Sequence, residues 1–233
     1  MATIKVLSAG AVKRGVSQIA SEFERDTGNR VTVEFTPVPE LRKRIAAGEA
    51  ADVVVATPAA MDEFAKQGKI LADSRGYVGR SSMGVVIHAD AAMPEIRDTP
   101  SFSKALLGAT AVVHNEASSG IYAAKLIDKL GLAKDLGSRI VVVKGGAAVM
   151  EYVAAHPGAA GLAQISELMV LMDRGCAVKL AAPLPDEIQN ETSYEAAAAA
   201  ASKTQDAARA LAIRLTSGTA KAVFAATGIS QGA

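Results

Sequence analysis

The chain of 233 residues holds a single cysteine, Cys176, which excludes an intramolecular disulfide and any metal site assembled from several thiolates. Flanked by Gly175 and Ala177 beside a strand-like run, Cys176 reads as a small buried hydrophobe. Excess charge is also missing: the net charge is +1, so nothing in the composition favours nucleic acid or an anionic membrane as the main partner. An anion site in this chain therefore has to be local. No apolar segment is long enough to span a bilayer, so membrane insertion is not expected. His88, His114 and His156 lack metal-ligand spacing. There is no P-loop, no G-x-S-x-G elbow and no G-x-G-x-x-G after the first strand, where "LSAGAVKRG" is short of glycine. These absences leave no cofactor implied.

What is present is an Ala-rich globular composition without a disorder signature: half the residues are apolar and 21% are charged. The length suits one large domain or two lobes. Strand-type runs alternate with helix-period segments. Ile4–Ala9 reads as a buried strand, and Val12, Val16, Ile19, Ala20 and Phe23 mark one helix face that stops near Gly28. Val31–Phe35 alternates as a strand, and Pro39 suits a first helical position. "ADVVVAT" reads as a strand buried on both faces, with Pro58 opening the next helix and Gly68 ending it. The second half repeats the alternation: strands at Met83–His88, Thr110–Asn115, "RIVVVKG" and "AAGLAQIS", with helices at Ser101–Leu107, Ile121–Leu130 and Ala147–Ala155. This pattern predicts an α/β fold of parallel sheets with helices on both faces. "TSYEAAAAAAS", Thr192–Ser202, is helical by propensity but also fits a buried strand that needs small side chains. Arg42, Lys43 and Arg44 read as one solvated helix face.

In such sheets ligands sit beyond the carboxyl ends of strands, where helices begin. That rule selects Ala9, Gly10, Ala11 and Val12 after the first strand, Thr36, Val38 and Pro39 after the second, and Thr57 after the third. In the second half it selects Ser118, Ser119 and Gly120, then Gly146 (with Gly145 beside it), then Gln164. Two hydroxyls next to unpaired helix N–H groups suit an oxyanion or carboxylate, while helix capping is the plainer use of the same serines. His114 closes a strand just before that turn and is a candidate acid or base there; Glu116 shares the position.

The order of "FERDTGNRVTVEF", "RIAAGEAADVVVATPAAMDEFAKQGKI", "SSGIYAAKLIDKLGL" and "AAGLAQISEL" resembles the extracellular solute-binding protein family, and within it the molybdate-binding branch of ABC-transporter receptors, over nearly the whole chain. The resemblance implies a type II periplasmic-binding-protein-like fold: two doubly wound α/β lobes joined by crossing strands. Residues 1–80 plus 188–233 would form lobe 1 and 81–187 lobe 2, with the ligand cleft between them, and Thr192–Ser202 would become a crossing strand. It also implies a small anionic ligand, an ABC permease as partner if the chain is exported, and a monomer. Molybdate binders of the family carry serines at the positions of Ala11 and Val38 and a tyrosine at that of Gln164. Losing those groups turns the expectation toward an organic carboxylate, with Arg80 near the crossing able to pair with it or with a structural carboxylate. An aconitate isomerase is built on a similar scaffold, so a cytoplasmic isomerase or lyase of a small carboxylic acid is the alternative, with His114, Glu116 and Lys13 as candidate bases. "MATIKVLSAG" shows no leader pattern, so the expectation is a cytoplasmic chain as written, and a periplasmic one if a leader is removed.

Overall fold

The computed structural model describes residues 1–230. The chain divides into two compact units, Met1–Ser81 together with the segment from Thr192 onward, and Ser82–Glu191. Unit 1 begins with β1 (Thr3–Ala9), α1 (Lys13–Thr27), β2 (Arg30–Thr36), α2 (Val38–Ala46), β3 (Val53–Ala56) and α3 (Pro58–Lys66). β4 (Gly76–His88) starts in unit 1 and runs on into unit 2. There follow α4 (Thr99–Gly108), β5 (Val112–Asn115), α5 (Ser118–Lys129), α6 (Ala133–Leu136), β6 (Ile140–Val143), α7 (Gly146–Ala155), β7 (Ala160–Gln164), α8 (Ile165–Asp173) and β8 (Val178–Pro183). β9 (Glu191–Ala198) returns the chain to unit 1, which α9 (Gln205–Leu215), α10 (Gly218–Ala225) and β10 (Ile229–Ser230) complete.

In unit 1 the strand order is β2-β1-β3-β9, with β1 parallel to β2 and β3, and β9 antiparallel to β3. β10 adds antiparallel to the first half of β4, with Ile229 opposite Ser81. In unit 2 the order is β6-β5-β7-β4, with β5 parallel to both its neighbours and β4 antiparallel to β7 and to β8. Each unit thus has a parallel trio flanked by antiparallel strands, whereas the alternation of elements predicts parallel pairing throughout. Periodicity reports which faces of a strand are buried; it carries no information on the direction of the neighbour.

Period-2 burial explains the layering. Val53 and Val55 pack with Val16, Ile19 and Phe23 of α1 and with Leu211, Leu215 and Phe224 of the C-terminal helices. Val54 and Ala56 face the other way, toward Leu41 and Ile45 of α2 and Met61 and Phe64 of α3. In unit 2, Met83, Val85 and Leu162 meet Phe102 and Leu106 of α4 and Leu126 of α5, while Val86, Val113 and Ala163 meet Val149, Met150 and Val153 of α7.

The alanine run takes the strand alternative despite its helix propensity. Ala196 and Ala198 lie in one apolar layer of unit 1 and Ala197 in the other, all fully buried. A strand covered by helices on both faces gains more from burial and lateral pairing than Ala loses by leaving a helix, a preference of well under 1 kcal/mol per residue. Three boundaries also shift. Pro37 is the N-cap of α2, so Pro39 is its second residue rather than its first. β7 stops at Gln164, and Ser166 already belongs to α8. Ser118 to Gly120 form the first turn of α5 instead of preceding it.

The basic triplet is not one solvated face. Arg44 Nε donates to Glu49 Oε2 at 2.6 Å, and its Nη2 reaches Glu34 and Glu49. Lys5 Nζ lies 3.0 Å from Glu34 and 2.9 Å from Glu49, and Arg42 turns instead to Glu63 at 3.3 Å. The network stitches β1, β2 and the α2 end together.

Ala197→Leu forces extra volume into a filled layer and is expected to lower unfolding stability by about 1–3 kcal/mol in urea titrations. Hydrogen bonds from Arg44, then Lys5, hold the Glu49 carboxyl at about 2 against an ordinary 4.5. A depressed carboxyl stabilises the fold above its unfolded pKa and loses that contribution as pH falls toward the folded value. Wild type should therefore melt above Glu49→Gln at pH 7, with the gap closing between about pH 4.5 and 2.

Candidate functional site

The register of unit 1 brings its three sequence-predicted turns to one edge. Ala9 pairs with Thr36, and Ser8 with Val55, so β1, β2 and β3 end side by side. Ala9 closes β1 and Gly10, Ala11 and Val12 make a single 3-10 turn before α1. Val12 is buried in the core; Ala11 is partly buried and Gly10 exposed. Lys13 opens α1 with its ammonium 5.5 Å from the Phe35 ring centroid. Thr36 is buried, Val38 and Pro39 begin α2, and Thr57 is the N-cap of α3 with no side-chain capping bond. Arg80 lies in β4, where its Nε donates to Ser230 Oγ at 3.3 Å. The same edge of β3 meets Glu195 of β9, opposite Ala56. Arg75 is tied there, donating to Glu195 at 2.6 Å and to Asp62 at 2.7 Å. Sequence reading missed this pair, which lies 120 residues apart in the chain.

Unit 2 repeats the plan with β6, β5 and β7. Asn115 pairs with Val143, so the turns at Glu116–Gly120 and at Gly145–Gly146 leave from neighbouring positions, with Gln164 ending the strand on the other side of β5. The start of α5 is not capped by its own serines: its N-cap is Ala117, with no side-chain capping bond. The buried Asn115 side chain does that work from the strand. Its Oδ1 accepts from Ala117 N at 2.8 Å and Gly120 N at 3.2 Å, and its Nδ2 donates to Ser119 Oγ at 3.2 Å. The N–H groups of Ser118 and Ser119 donate to no acceptor among the described residues, as expected for the first positions of a helix. Ser118 is exposed and Ser119 buried, so one open and one recessed hydroxyl flank two free N–H groups. Helix starts of this kind attract anions through the N–H groups and the aligned peptide dipoles.

Gly120 permits the approach: a Cβ there would fall 1.6 Å from the Asn115 carbonyl oxygen. Gly146 serves a different neighbour, since a Cβ on it would fall 1.8 Å from Oε2 of Glu167. Glu167 lies in the first turn of α8, and its Oε2 is buried with no hydrogen-bond partner among the described residues. Burial pushes its carboxyl above the usual range. Sequence reading passed over it because one glutamate in a helical pattern carries no local signal.

The predicted acid–base candidates are dispersed. His114 is buried within β5, its Nδ1 3.1 Å from the Asn115 carbonyl oxygen. Glu116 is exposed, and its backbone N–H donates to Val143 O at 3.0 Å, tying β5 to β6. Lys13 belongs to unit 1. Cys176 is half-buried rather than buried, its thiol 3.8 Å from the Met150 carbonyl oxygen and pushed up in pKa chiefly by burial. Among the described residues no helix is long and apolar enough to cross a membrane.

The two α/β units thus repeat one plan, each with a parallel trio of strands ending in helix starts. The profile of the bacterial extracellular solute-binding proteins matches residues 4–230. The chain belongs to that family. Among solved structures, this solute-binding protein is similar to a substrate-binding domain from Clostridium difficile assigned to a molybdenum ABC transporter, with a TM-score of 0.81, 18% identity and complete coverage of both chains. It is also similar to the periplasmic molybdate-binding protein of Azotobacter vinelandii, with a TM-score of 0.73 and 18% identity over 99% of this chain and 100% of that one. Those likenesses define a type II periplasmic-binding fold. A curated relative, an aconitate isomerase from Pseudomonas sp., is 28% identical over 220 residues, 90% of this chain and 80% of the relative.

Gly120→Ala should destabilise the protein by about 2–3 kcal/mol, although Ala outranks Gly in a helix by about 1 kcal/mol, because the clash is with backbone. Asn115→Ala should cost about 1–3 kcal/mol through its lost bonds to the α5 turn. Equilibrium denaturation of the two variants checks both values.

Proposed function

We propose that this solute-binding protein takes a small organic carboxylate rather than molybdate. The observation that carries the reading is the difference between the two sets of turns. In unit 2, Ser118 and Ser119 supply hydroxyls and free N–H groups at the start of α5. In unit 1 the matching helix starts carry the hydrocarbon side chains of Ala11 and Val38. A tetrahedral oxyanion needs donors on all sides, and each one missing in a dry site costs about 1–3 kcal/mol, so two cost roughly 30- to 10⁴-fold in affinity. A carboxylate on a carbon skeleton needs donors only at its oxygens and is served by apolar contacts elsewhere. The candidate ligand contacts are, within unit 1, Ala9, Gly10, Ala11, Val12, Thr36, Val38, Pro39, Thr57 and Arg80 and, within unit 2, Ser118, Ser119, Gly120, Gly146 and Gln164. Delivery to an ABC permease is the partner role that goes with this reading.

A second reading has its own support. The relative that matches nine-tenths of the chain is named an aconitate isomerase, so the carboxylate is a substrate in that reading instead of a cargo. Both readings ask for a small carboxylate and differ in turnover.

Thermal-shift and calorimetric titrations with cis- and trans-aconitate, citrate, molybdate and tungstate test the proposal. Saturable binding of a tricarboxylate is expected, weakened about 10-fold or more by Ser119→Ala through loss of one hydrogen bond to a charged group. A response to molybdate alone overturns it.

A further inference from the structure

The isomerase reading needs a group that removes a proton and returns it, and none of the residues singled out in the sequence is placed for the task. His114 is packed inside the strand against its own backbone, Glu116 is solvated, and Lys13 stands over Phe35. We propose that the Glu167 carboxyl is the proton carrier for an allylic isomerisation of an unsaturated polycarboxylate held at the unit 2 turns. This inference rests on the isomerase reading given above.

Position is the first argument. Glu167 follows β7 within three residues and lies against Gly146, which follows β6. β6 and β7 flank β5 on its two sides. The carboxyl is therefore on the strand-end edge where Ser118 and Ser119 present their N–H groups. Gly146 has no side chain where that carboxyl sits, and any larger residue would displace it.

Lack of a structural task is the second argument. Several other carboxylates are tied into the structure: Glu34 and Glu49 by Lys5 and Arg44, Glu195 by Arg75, Glu187 by Thr99, Asp98 as the cap of α4. Glu167 Oε2 is withdrawn from solvent, takes no hydrogen bond from the described residues and does not cap α7. The nearby elements carry Lys144 before α7, Glu151 on α7 and Lys179 on β8, and none of them pairs with it. A buried carboxyl without a partner normally costs stability, so its retention needs another reason. Burial raises its pKa, which favours the protonated form that a group returning a proton needs.

The step balances without a co-reactant. Glu167 carboxylate takes a proton from the methylene carbon of the acid, and that C–H pair becomes the new carbon–carbon double bond. The old double-bond pair moves to the far carbon, which takes the proton back from the Glu167 acid. One C–H bond breaks and one forms, the formula is unchanged, and the carboxylate is regenerated. The N–H groups of Ser118 and Ser119 hold a substrate carboxylate on which charge accumulates in between.

The test follows trans-aconitate in heavy water by proton NMR with the full chain, beside calorimetric binding of the same acid. Wild type is expected to form the cis isomer and to lose methylene proton signal to deuterium. Glu167→Gln is expected to lower kcat about 10²–10⁴-fold while aconitate affinity stays within a few-fold, and to lose the acid limb of the pH–rate profile. Glu167→Asp should keep part of kcat and that limb, and it decides the matter if the glutamine variant does not fold. Activity within threefold of wild type in either variant, with an unchanged pH profile, overturns the role of Glu167. Wild type that binds aconitate but neither converts nor exchanges it overturns the isomerase reading and this role with it, leaving carboxylate binding standing.

Discussion

Asn115 ends β5 with its side chain buried and its amide bonded on both sides by the first turn of α5. A buried amide left unpaired would cost as much as the bonds it makes here, so strand end and helix start are locked to each other. The lock requires a glycine at position 120, because the turn comes within contact of the strand's last carbonyl. With Asn115 as the cap, the Ser118 hydroxyl is not used to cap its own helix, while Ser119 Oγ accepts from Asn115 Nδ2. The way the start of α5 is built is thus a consequence of one internal hydrogen-bonded side chain.

Around such locks the sheets supply rigidity. Each parallel trio is covered on both faces, and its strands alternate residues between two apolar layers. The central position of β9 between two helical layers calls for small side chains on both faces, which the alanines provide. The edges of such sheets hold their helix starts in fixed register, so recognition depends on which few side chains stand at those starts. Ala11 and Val38 on one unit and the two serines on the other exchange methyl groups for hydroxyls on a common frame.

That frame serves receptors and at least one protein named as an enzyme, an instance of fold leaving function to the site. A receptor needs donors for its ligand and nothing that reacts. Enzymatic turnover adds a proton carrier with an adjustable pKa, and the buried carboxyl beside Gly146 has the surroundings of one.

The sequence by itself determined the alternation of elements, the buried faces of α1, β3 and α2, and the set of strand-end turns, because burial imposes a period that each segment carries locally. The order of its motifs likewise carried the family. Tertiary structure decided the rest. "TSYEAAAAAAS" is a strand because two helical layers cover it, against the preference of alanine alone. Arg44 is a network centre because Glu34 and Glu49 come to it, and a charge run cannot tell a tied guanidinium from a solvated one. Antiparallel pairing, the capping role of Asn115 and the isolation of Glu167 are relations between segments. Hydrogen bonds and desolvation act through space over a few ångströms, whatever the separation along the chain, and only the folded chain sets those distances.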